Sequence, residues 1–183
     1  FRPGHPNWVE DDYRFWGRTL RVLRENAAVF SQKQYVPLWP CQRDSIYINQ
    51  WPGGEKTLFT LFSLQAAGYR GPLFETPVKS GYHLVDLWNH EELKPTEKHG
   101  NWEVSADLEA FSQKWLGTNN EGAVGAIAVL PNVLQVERRG DVLSFSAARG
   151  QEIRIWSGHP AYDQTPKIYT INAQQIALHK VFE

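Results

Sequence analysis

The chain has 183 residues, no methionine, a single cysteine and a formal charge of only −1, from 19 basic and 20 acidic side chains. One thiol, Cys41, excludes an internal disulfide and any zinc cluster built on several thiolates. Near-neutrality removes the electrostatic reason to seek nucleic acid or an anionic lipid surface, so neither is expected as a partner. No apolar run approaches the roughly 18–20 residues a helix needs to span a bilayer. The first residues carry no signal-peptide pattern, and the sequence contains no methionine to begin it. Phe1-Arg2-Pro3-Gly4-His5-Pro6 reads as the middle of a loop, and the chain is expected to be a piece of something longer.

Motifs that carry chemistry are missing too. The glycines of Gly122-Ala123-Val124-Gly125 fit neither a dinucleotide fingerprint nor a P-loop, and no helix pattern opens after them. Ser80 and Ser157 sit in no G-x-S-x-G elbow. His90-Glu91-Glu92-Leu93 lacks the second histidine of a zincin, and Cys41 has no basic or histidine neighbour to activate it. Neither a cofactor nor a metal is expected.

What the chain does have is aromatic residues, 13% with eight tryptophans, and turn formers, 14 glycines and 11 prolines. That balance favours an all-β body with many turns over a helical bundle. One helix is expected first, over about residues 10–32. Tyr13, Trp16, Leu20, Leu23, Ala27 and Phe30 recur at steps of three and four, which places them on one face, with Glu10, Asp11 and Asp12 at the positive N-terminal end as capping carboxylates. This stripe is wide and aromatic, so it requires a large apolar partner. Tyr35 to Pro40 follows as an extended linker.

Ser45 to Leu64 then reads as a strand, a Pro-Gly-Gly turn and a second strand. In the second strand Leu58, Thr60 and Phe62 alternate with Phe59, Leu61 and Ser63, so both faces must be covered. More strands are expected at 73–78, 82–88, 102–111, 123–130, 133–138, 142–148, 152–156 and 167–172, with 106–116 open to a short helix instead. Turn signals separate them, including the polar run from Asn89 to Asn101. The small residues of 122–130 imply close backbone approach in a central strand. The expected fold is therefore mainly β: an antiparallel β-sandwich preceded by one long amphipathic helix.

The order of these elements, with the phrases R-F-W-G-R-T-L-R-V-L-R-E-N-A-A-V-F, P-L-W-P, I-Y-I-N-Q-W-P-G-G-E-K-T-L-F-T-L-F, G-P-L-F-E and Y-H-L-V-D-L-W, resembles the C-terminal part of large bacterial glycoside-hydrolase-like proteins. There a (β/α)8 barrel ends in its last helix and is capped by a β-sandwich. The resemblance implies that residues 1–40 are a loop, the barrel's last helix and a linker, and that 41–183 are the sandwich, with about 150–183 as the candidate start of a further β module. It implies a preceding barrel of the same protein as partner, and a secreted or periplasmic location. The region itself would be accessory, not catalytic, because glycoside hydrolysis needs two facing carboxylates and those would lie on the barrel. Arg2 and His5 would then be remnants of the loop after the eighth barrel strand, where such barrels bind substrate; the plainer reading makes them solvated loop residues.

The alternative function is an independent carbohydrate-binding module, with exposed indoles stacking on sugar rings. Of Trp51, Trp88, Trp102, Trp115 and Trp156, the best candidates are Trp51 and Trp88, each beside a turn; the plainer reading has all five filling core edges. His83, Asp86 and His90 come nearest to a metal set, but His83 and Asp86 point to opposite faces of a strand. Asp86 is better read as anchoring the loop Asn89–Glu92 by hydrogen bonds to its backbone.

Overall fold

The computed structural model describes residues 6–111, 122–150, 152–158, 165–170 and 175–177. The chain divides into two compact units, Phe1–Pro131 and Asn132–Glu183. The helical lead-in and the first eight strands lie in the first of these units, and the remaining strands in the second.

Unit one opens with α1 (Pro6–Glu25) and, after a break at Asn26, a short α2 (Ala27–Phe30). Pro6 starts α1, a position that suits proline because its missing N–H has no partner there anyway. Glu10, Asp11 and Asp12, expected at the helix start, accordingly lie beyond the first turn, which contains no acidic residue.

The strands are β1 (Ile46–Gly53), β2 (Lys56–Ser63), β3 (Tyr69–Pro77), β4 (Tyr82–Asp86), β5 (Glu91–Leu93), β6 (Thr96–Lys98), β7 (Asn101–Leu108) and β8 (Ala123–Pro131). They form two antiparallel sheets, one ordered β1-β2-β8-β4-β5 and the other β3-β7-β6. One core joins them into a sandwich. Ile46, Ile48, Phe59, Leu61, Leu84, Ile127 and Val129 from the first sheet meet Leu73, Phe74, Val104, Ala106 and Leu108 from the second. Phe59 and Phe74, both fully buried, tilt against each other across it with ring centroids 4.6 Å apart. A bulge between Pro72 and Phe74 turns Leu73 and Phe74, neighbours in sequence, into two core residues.

The opposite face of the five-stranded sheet carries the helices. Val29 of α2 packs on Leu58 and Ala128, with Phe30, Trp51, Leu87 and Leu130 around them. The two-faced pattern of β2 is explained by this layering: its odd residues enter the sandwich core and its even residues face the helices. The hairpin turn is Gly54-Glu55, since Gly53 pairs with Lys56; Pro52 and Gly53, expected in the turn, belong to the strand. Proline is tolerated because β1 lies at the sheet edge. Gly53 has no side chain because Val29 sits where a Cβ would be, its Cγ2 only 2.8 Å away.

β8 is the central strand of its sheet, as its small residues imply. A Cβ on Gly125 would come within 2.9 Å of the Leu108 side chain and 3.0 Å of Leu61. The linker is only partly extended. Val36 bridges Gln50 and the Trp39 N–H donates to the Ile48 carbonyl at 2.7 Å, so the linker lines the free edge of β1, while Leu38 between them adopts φ +52°. The Trp39 indole reaches across to donate to the Glu75 carbonyl of β3, tying the two sheets together.

Unit two holds β9 (Leu134–Arg139), β10 (Val142–Ala147) and β13 (Gln175–Ala177) in one sheet, and β11 (Glu152–Ile155) paired with β12 (Lys167–Thr170). Its small core is Phe145 and Ile153 with Ile155 and Tyr169. The strands β5, β6 and β13 were not expected; β5 and β6 lie inside the polar run read as a turn. The alternative helix over 106–116 is met by strand through Leu108, and from residue 112 on it lies outside the described residues.

Candidate functional site

α1 is amphipathic on two sides. Spacing of three and four residues sets Phe15, Thr19 and Val22 on the side that faces the sheet. There Phe15 meets Trp88 edge-on, with ring centroids 5.6 Å apart, and Val22 is buried. Arg18 flanks that side with its guanidinium 5.4 Å from the centre of the Trp88 ring, and it pairs with Glu109 at 3.0 Å. The pair is exposed, so most of its worth lies in positioning the arginine over the indole.

The end of α1 is fastened by Lys56 from the hairpin. Its ammonium donates to Asn26 Oδ1 at 2.6 Å and to the Glu25 carbonyl at 3.3 Å, a cation where the helix end is negative. Burial pulls the Lys56 pKa below that of a free lysine, and the nearby Glu25 carboxylate partly restores it. Asn26 is itself buried and donates back to the Val22 carbonyl at 2.8 Å.

The other side of α1 is the candidate site. Tyr13, Trp16, Leu20 and Leu23 stand 50%, 59%, 37% and 44% exposed, four large apolar side chains in consecutive turns. The expected six-residue stripe is therefore split. Its first four members face solvent, whereas Phe30 packs on Trp51 with ring centroids 5.2 Å apart. Ala27, just past the helix break at Asn26, is exposed as well, so only Phe30 of the six is packed. Sequence reading picked the outward stripe and missed Phe15, Thr19 and Val22; the same three-and-four spacing would have found them, since both stripes share one helix.

Trp51 lies within β1, not at a turn. Tyr35 stacks on it at 4.9 Å and its indole N–H donates to Thr60 Oγ1 at 3.0 Å. Trp88 does sit in the turn after β4, but it is buried, 6% exposed, against Phe15 and Arg18, so it presents no free ring to a sugar. Trp102 and Trp156 are half-buried. Arg2, His5 and Trp115 lie outside the described residues.

Asp86 is buried and anchors its turn. Oδ1 accepts from the Trp88 and Asn89 backbone N–H groups, each at 2.9 Å, and Oδ2 from the Asn89 amide at 2.9 Å. His83 pairs with Glu92 at 2.9 Å, across the β4–β5 ladder. No set of three or more histidine, cysteine or carboxylate residues that could hold a metal occurs among the described residues. Within the same residues, no helix is long and apolar enough to cross a membrane.

Burial raises the Asp86 pKa above that of an ordinary carboxylate. Its bonds to Asn89 and Trp88 pull the other way, and the charge of Glu91 adds a further upward push. A raised folded-state pKa means that the stability tied to this group is fully present below its unfolded pKa and declines as pH rises through the folded one. Asp86→Ala should leave the Trp88 and Asn89 N–H groups unpaired, at a cost of about 1–3 kcal/mol for each group left buried. Chemical denaturation of both proteins at several pH values checks this: the variant is less stable throughout, and the gap narrows from acid to neutral pH.

Comparison with protein-family models, with curated proteins and with solved structures found no match to this chain.

Proposed function

We propose that this chain is an accessory, non-catalytic β-sandwich region of a glycoside-hydrolase-like protein, and that the outward side of α1 packs on a preceding (β/α)8 barrel of that protein. The observation that carries this reading is the row Tyr13, Trp16, Leu20 and Leu23 left facing solvent on a helix whose other side is already packed. A helix apolar on both sides is suited to lie between two bodies, one of which is the sandwich. The element order and the phrases quoted above are what favour a barrel as the second body. Hydroxyl-radical footprinting tests it: Tyr13 and Trp16 should be oxidised readily in the isolated chain and protected in the full-length parent protein. Equal oxidation in both, or a parent with no barrel sequence before α1, would sink the reading.

A second reading, carbohydrate binding, is supported by the exposed Trp16 and Tyr13 rings one turn apart, and no longer by Trp88. Titrating a broad panel of polysaccharides while following tryptophan fluorescence separates the two. The barrel-docking reading expects no saturable change; a saturable change lost in Trp16→Ala would favour the module.

A further inference from the structure

We draw no further inference here: the strongest candidate, the exposed cross-strand pair Tyr47 and Phe62 on the helix-bearing face of the five-stranded sheet, is an apolar patch, and nothing in the structure shows what covers it.

Discussion

Trp16→Asp combined with Leu20→Asp should leave the isolated chain folded, with a melting transition near that of the parent sequence, while destroying the attachment to the barrel proposed above. Both side chains stand partly in water, so the folded state loses far less packing than at a core position, and the two substitutions together should cost about 1–2 kcal/mol, chiefly in helix propensity and partial burial. The isolated variant should also elute more sharply on size exclusion, because two members of the exposed apolar row become charged. Mixed with a separately prepared barrel, the unmodified chain should bind and the double variant should not. A central tryptophan in an interface commonly carries about 2 kcal/mol or more, roughly thirtyfold in affinity, and a buried unpaired carboxylate adds to the loss. Calorimetric titration reads this directly. A double variant that bound as tightly as the original would remove α1 from the interface.

Phe59→Ala and Phe74→Ala should each destabilise unit one by about 3–5 kcal/mol, the range for truncating a fully buried phenylalanine. That is a large share of the roughly 5–15 kcal/mol by which a typical domain is stable. The two rings meet at the centre of the sandwich, so either truncation leaves the other ring beside a cavity, and the double variant should cost less than the sum of the two. Phe62→Ala is the contrasting case. It lies three residues along the same strand but on the opposite face, 38% exposed, and should cost well under half as much. Urea denaturation of the three single variants decides the point. If Phe62 proved as costly as Phe59, the assignment of faces in β2 would be wrong.

Much of the sandwich was legible because its strands are short, β-prone runs between turn signals or carry small residues where backbones crowd. The two-sided apolar pattern of Leu58 to Ser63 foretold cover on both faces, and the glycine at 125 foretold a central strand. The β5 and β6 strands were not legible. Each has three residues, mostly exposed, and pairs through backbone groups rather than an apolar face, so no side-chain periodicity marks them. The turn geometry failed for a related reason. Proline and glycine usually signal a turn, but at a sheet edge proline forfeits no ladder bond, and Gly53 is there to admit Val29. Among site residues, Asp86 kept the loop-anchoring role read for it, although its partners are Trp88 and Asn89 rather than the residues beyond. Trp88 follows the plainer core-edge reading, and proximity to a turn could not show that Phe15 and Arg18, far upstream in the chain, would come to cover it.

The linker along β1 has a bearing on how this region can be cut. Val36 and Trp39 occupy backbone groups on the outer edge of that strand, and proline at 37 and 40 limits what can add beyond them. A chain shortened to begin at residue 41 would lose that cover together with the Trp39 bond to Glu75. It would bare the Ile48 carbonyl and the N–H and C=O groups of Gln50 in a strand rich in β-formers, a template onto which a second molecule could add its own edge. The segment that reads as mere tether thus also keeps neighbouring copies from joining sheet to sheet.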